Sequence, residues 1–228
     1  MSTQDSTKPT WIPRLPLSIV VLLALALILL GFIATARLIL WSGSNADHGN
    51  TLDEFLTSVC DEEYEFFAFF DLNENKLFEY TNYDKHQVSL PTAYLNAATF
   101  LNPRGIIVAH NHPEDNAAHS INDIIFSMEH NQILTSIVVS SHKVYTLSAP
   151  NGWPNVRDFI ATYDPRIADQ EARNQQVGNY IRKNWFIPDE NNENSFYSGQ
   201  AFLEAIADNY SLVFTVNTIN RSLVEPIY

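Results

Sequence analysis

The stretch GIIVAHNHPEDNAAHSINDII, residues 105–125, constrains what this chain can fold into more than any other. It opens as an apolar run of strand type, "GIIVAH", short enough for a buried strand. The run ends in two histidines one residue apart, then Pro113. A polar loop follows, and "SINDIIFSMEHNQI" reads as a helix with Ser120 as its N-cap. On an extended segment the i, i+2 spacing puts His110 and His112 on one face. Two imidazoles on one face can share a metal ion, and Asp123, near the start of the helix, can swing in as a third ligand. Three protein ligands and one open position is the layout of a catalytic zinc site. Zinc in such a site lowers the pKa of its water to about 7.

The flanking sequence supplies more elements of both kinds. Thr51, with Glu54 three residues on, forms a capping-box pattern at the head of "TLDEFLTSVC". "EFFAFFD" (65–71) is a continuous aromatic run suited to a buried strand, ended by the turn signal "DLNEN". "KLFEY" and "HQVSL" are further strand candidates. Pro91 suits the first turn of a helix, "PTAYLNAATFL". "TSIVVSS" and "KVYTLS" read as a strand pair with a tight turn at His142. Residues 51–149 thus mix helix and strand in an α/β pattern with central strands. The tail, 150–228, reads as mostly helical, with an interruption at Pro165, a polar loop "PDENNENSFYSG" and a last strand "SLVFTVNTI". It carries no catalytic constellation and is expected to pack on the central domain or to recognise a partner.

An HxH pair alone is often only solvated loop. The longer pattern is more specific: His-x-His-Pro, six residues, Ser, two residues, Asp, following an apolar strand. This HxH-x7-SxxD pattern resembles the JAMM motif of the MPN+/JAB metalloproteases, and "AHNHP" looks like the RadC-type and phage- or toxin-associated branches. The resemblance covers roughly residues 51–149. It implies an MPN/JAB-like, cytidine-deaminase-like α/β (α+β) fold, a central sheet flanked by helices. It implies that His110, His112 and Asp123 bind Zn2+ and that Ser120 helps stabilise the oxyanion. It also implies a glutamate general acid/base at the start of an earlier strand. Glu65 directly precedes the apolar run and is favoured; Glu63 is the alternate, because strand parity puts both on one face. Glu62 has the wrong parity. His119 lies in the loop and is expected to be exposed, and His48, His86, His130 and His142 carry no supporting pattern.

Ahead of this domain, Leu15–Ala36 carries no charge. At about 1.5 Å per residue its 22 residues match the roughly 30 Å of bilayer hydrocarbon. Trp11 and Trp41 flank it, as interface anchors do. A transmembrane helix over 15–41 is therefore expected, followed by a polar linker at 42–50. A cleaved signal peptide is the competing reading, but its apolar region is usually shorter. Lys8 and Arg14 before the run, against Arg37 after it, favour a cytoplasmic N-terminus and a periplasmic or extracytoplasmic domain.

The charge balance narrows the partners. Lys and Arg number 13 and Asp and Glu 26, a net charge of −13. Three of those cations and one of those acids precede residue 43, leaving 10 against 25 in the rest. Nucleic-acid affinity rests on cations neutralising phosphates, so nucleic acid is not an expected partner and a RadC-like DNA role is disfavoured. One cysteine, Cys60, excludes an intramolecular disulfide and a Cys-rich zinc site. The sequence therefore points to a membrane-anchored zinc metallopeptidase or isopeptidase acting on a protein or peptide. A non-enzymatic MPN scaffold on the same anchor is the alternative.

Overall fold

The computed structural model describes residues 47–219, apart from 87, 89, 114–117, 141, 165, 168–169 and 185–198, together with 16, 18–19, 21–23 and 25. The chain divides into two compact units, Met1–Ser42 and Gly43–Tyr228. Most of the expected transmembrane segment lies outside the described residues. Those between 18 and 25 are helical and exposed. Among the described residues no helix is long and apolar enough to cross a membrane.

The second unit is a mixed α/β structure. In chain order it contains α1 (Leu52–Val59), β1 (Phe67–Phe70), β2 (Lys76–Tyr80), α2 (Thr92–Leu101), β3 (Ile106–Asn111), α3 (Ile121–Glu129), β4 (Ile133–Ser140), β5 (Lys143–Ser148), α4 (Val156–Phe159), α5 (Gln170–Asn184), α6 (Gln200–Tyr210) and β6 (Val213–Thr218). The six strands form one sheet in the order β2-β1-β3-β4-β5-β6. Only β3 and β4 pair in parallel, with α3 as their connection. The other neighbours are antiparallel.

Alternation along the strands separates two apolar cores. On one side Ala68, Phe70, Ala109, Ile137 and Val139 pack with Phe55, Leu56 and Val59 of α1. On the other, Val138, Tyr145 and Leu147 pack with Ile124, Ile125 and Met128 of α3 and with the helices after residue 150. Phe55, fully buried, anchors α1, and burying a side chain of that size contributes about 1.5–3 kcal/mol. The capping box at Thr51 and Glu54 forms as the spacing predicts.

The segment after 150 is built into this fold. Strand β6 pairs with β5 over Val213–Thr218. Val177 and Ile181 of α5 and Phe202, Leu203 and Ile206 of α6 share the α3-side core. Trp153 Nε1 donates to the Ile133 carbonyl at 2.6 Å, and the Tyr163 hydroxyl donates to Glu129 at 2.5 Å. The boundary drawn at 149/150 is thus not a seam in the packing.

Other expectations are corrected in detail. "HQVSL" forms no strand among its described residues. The Asp84 carboxylate accepts the His86 N–H at 2.8 Å and its carbonyl accepts the Glu65 N–H at 2.8 Å, so this backbone is satisfied by a local turn. Helix α3 stops at Glu129, four residues early, because Ile133 is drawn into β4 beside Ile106. Pro91 is the N-cap of α2 and lies just outside its first turn. Pro165 and most of the "PDENNENSFYSG" loop lie outside the described residues.

Gly105 sets the entry to β3. Its φ of +132° is one that side-chain-bearing residues rarely adopt, and a Cβ there would lie 2.5 Å from Leu134 Cδ1. Gly105→Ala is expected to lower the stability of the domain by more than about 1 kcal/mol in urea unfolding. An unchanged midpoint would contradict this account of the β3 entry.

Candidate metal centre

His110 is the fifth residue of β3, opposite Phe67 on β1 and beside Val138 on β4. It is 1% exposed, and the Phe67 ring stacks on it at 5.5 Å with an interplanar angle of 13°. His112 follows just past the strand end, where its N–H donates to the Val139 carbonyl at 2.9 Å. The two Nε2 atoms are 3.1 Å apart, as the i, i+2 argument requires.

Asp123 reaches the same point from α3. It is the N3 residue of a capping box: its N–H donates to Ser120 Oγ at 3.3 Å, and its Oδ2 accepts the Ser120 N–H at 2.6 Å. The cap turns the carboxylate back toward the helix N-terminus. There Oδ1 lies 3.4 Å from His110 Nε2, and Oδ2 lies 3.6 Å from His112 Nε2. A tetrahedral ion with bonds of about 2.0–2.2 Å has ligand–ligand edges of about 3.3–3.6 Å. Each histidine nitrogen thus stands at close to coordination spacing from the other and from one oxygen of the Asp123 carboxylate, His110 from Oδ1 and His112 from Oδ2. An N,N,O set without sulfur suits zinc and neighbouring divalent ions.

Glu65 comes from the other side, just before β1. Its carboxylate lies within 4.8 Å of the donor atoms of His110 and His112. Glu63 does not join: it is 65% exposed and pairs with Lys85. The shared parity of Glu63 and Glu65 does not extend to the structure, because a bend at Glu63–Tyr64 precedes β1. Glu62 faces away, 3.4 Å from His48 Nε2. His48, which no sequence pattern singles out, also contacts Glu79 at 2.5 Å.

Burial pushes the Glu65 carboxyl up, to about 7; His110 pulls against this, while Asp123 and Asp84 add to it. Burial also disfavours ionised Asp123, but His110 and then His112 outweigh it and hold that carboxyl below the usual range. For His110 burial opposes protonation, yet Asp123 and Glu65 together raise its pKa. Two imidazoles and two carboxyls thus compete for a shared charge at one buried point.

Three residues that position Glu65, and a buried histidine near the site, were not legible in the sequence. Asn111, between the histidines, points to the opposite face and is 1% exposed. Its Oδ1 accepts the Phe66 N–H at 2.7 Å and its Nδ2 donates to the Tyr64 carbonyl at 3.0 Å, gripping the chain on both sides of Glu65. The Thr81 hydroxyl donates to the Glu65 carbonyl at 2.7 Å, and the Asp84 carbonyl accepts the Glu65 N–H. His119 was expected to be exposed and is instead fully buried. Its Nε2 donates to the Ser136 carbonyl at 3.0 Å, its Nδ1 has no hydrogen-bond partner among the described residues, and burial lowers its pKa to about 3.

No protein-family model, curated protein or solved structure matches this chain.

The raised Glu65 pKa carries a sign that can be measured. Between the ordinary carboxyl value and about 7, folded Glu65 keeps a proton that the unfolded chain has released. Metal-free stability therefore falls as pH rises through that window. Glu65→Gln removes the effect. In chelator, urea unfolding should show the variant gaining on the wild type by on the order of 2–3 kcal/mol between pH 4.5 and 8. Parallel pH profiles would contradict the burial of the Glu65 carboxyl.

Proposed function

We propose that this chain is a zinc-dependent metallopeptidase or isopeptidase of the JAMM/MPN+ type, with residues 15–41 as its membrane anchor. One observation carries the reading. The His110 and His112 Nε2 atoms lie 3.1 Å apart and 3.4 and 3.6 Å from the two oxygens of Asp123, with the Glu65 carboxylate within 4.8 Å of both histidines.

His110, His112 and Asp123 hold the zinc. When bound, the ion supplies a Lewis acid for the scissile carbonyl and lowers the pKa of water at the open position. Glu65 is the general base and then the general acid. Its carboxylate oxygen takes the proton released as water attacks and passes it to the departing amine. A carboxyl with a pKa of about 7 suits both transfers near neutral pH. Asn111, Thr81 and Asp84 fix the backbone on which that carboxyl turns, which keeps the proton path short. Ser120 Oγ accepts the Asp123 N–H through a lone pair, so its O–H is able to donate to the oxygen that gains charge. Ser120 is thus cap and oxyanion donor at once.

The test combines metal content and cleavage. In the purified full-length protein, His110→Ala and Asp123→Asn should each lose one equivalent of bound zinc. Glu65→Gln should keep it and lose about 10²–10⁴-fold in cleavage of a peptide or isopeptide library read by mass spectrometry. Glu63→Gln should change neither. Zinc-loaded wild type that cleaves neither library, or Glu65→Gln that cleaves as well as wild type, would contradict the enzyme reading. Cleavage lost only in Glu63→Gln would move the base to the alternate residue.

A further inference from the structure

The chain's one cysteine stands in a second group of metal-ligating side chains. Cys60 is the C-cap of α1, and Asp61 follows it. Facing them is His142, in the β4–β5 turn, at a left-handed φ of +65°. One donor atom from each of the three lies within 4.8 Å of the others, and His142 Nε2 is 3.8 Å from Asp61 Oδ1. Cys60 is partly buried and packs against the α1-side core. His142 Nδ1 is buried with no hydrogen-bond partner among the described residues, so half of this imidazole's polar capacity is unspent. The turn that carries it is fixed by the Ile219 N–H, which donates to the His142 carbonyl at 2.8 Å.

From this geometry we infer that Cys60, Asp61 and His142 form a second metal site, for a divalent transition-metal ion of the zinc class. The donor set is a thiolate, an imidazole and a carboxylate, each an ordinary ligand for such an ion. Zinc–ligand bonds of about 2.0–2.3 Å give tetrahedral edges of about 3.3–3.8 Å. The His142–Asp61 edge, at 3.8 Å, lies about 0.2 Å beyond the N,O value, and every donor pair lies within 4.8 Å. On binding, the Cys60 thiol gives its proton to solvent and coordinates as thiolate. Water completes the coordination on the exposed side.

This site is separate from the His110 centre. Cys60 packs on the α1 face of the sheet, whereas the His110 side chain points to the α3 face. The ion would tie the end of α1 to the β4–β5 turn, at the start of the chain segment that leads to Glu65. It would therefore hold that segment at its start, on the same face of the sheet as Asn111.

Cobalt(II) titration of the full-length protein tests this without reference to enzyme activity. A sulfur-to-cobalt charge-transfer band can arise only at Cys60, the single cysteine, because the His110 centre has only nitrogen and oxygen donors. The band should vanish in Cys60→Ser, and in His110→Ala, where the other centre is removed, it should persist and saturate at one cobalt per chain. His142→Asn keeps a residue that tolerates a left-handed φ, so it should fold, as far-ultraviolet circular dichroism would verify. In it the band should need more than about tenfold more cobalt, since even outer-shell partners are worth that much. Zinc should displace the cobalt. No band in wild type, a band unchanged in folded His142→Asn, a band lost with His110, or saturation at half an equivalent through a pair of chains would each overturn the proposal.

Discussion

The carboxamide of Asn111 holds the two halves of the candidate centre in register. It projects from the last residue of β3, between the two histidines, and bonds both the Tyr64 carbonyl and the Phe66 N–H. Because alternate residues face opposite ways, the same three-residue segment presents His110 and His112 on one face and this grip on the other. Glu65, lying between the gripped residues, is thereby fixed relative to the histidines by two hydrogen bonds. A buried amide with both ends satisfied also costs little, whereas an unpaired one costs about 1–3 kcal/mol. The β1–β3 pairing, the position of Glu65 and the aim of the histidine pair all follow from this arrangement.

The charge at the centre follows from the geometry. Four titratable groups close on one point, under a sheet face that excludes water from His110 and nearly so from Glu65. Burial alone would neutralise all four. Instead Asp123 remains ionised, because two imidazoles face it, and Glu65 becomes the more easily protonated of the two carboxyls. The two carboxyls have thus been driven apart in acidity, which suits one to the proposed ligand role and the other to the proposed proton transfer. A divalent cation among the three donors would relieve the remaining competition, which is the physical basis of the proposed zinc site.

How much of this was legible in the chain varies by the range of the interaction involved. His110 and His112 share a face because of period-2 alternation, and Asp123 is delivered by a helix cap three residues from Ser120; both are local, and both were readable. The choice between Glu65 and Glu63 was not. It is made by Asn111, Thr81 and Asp84, which lie 16 to 46 residues away, and by a bend that ends the strand before Glu63. His119 reads as loop, but a carbonyl 17 residues downstream, at Ser136, gives it a partner inside the core. "SLVFTVNTI" reads as a strand, yet periodicity cannot name its neighbour, and its pairing with β5 is what makes the tail part of the sheet.

The central claim is that one ion sits among His110, His112 and Asp123 with Glu65 beside it. Anomalous diffraction at the zinc edge, from crystals of the zinc-loaded protein, addresses it most directly. The account predicts an anomalous peak about 2.0–2.2 Å from both Nε2 atoms and an Asp123 oxygen, with the Glu65 carboxylate near but outside bonding distance. Density showing these side chains in the same positions with no anomalous peak among them would contradict it.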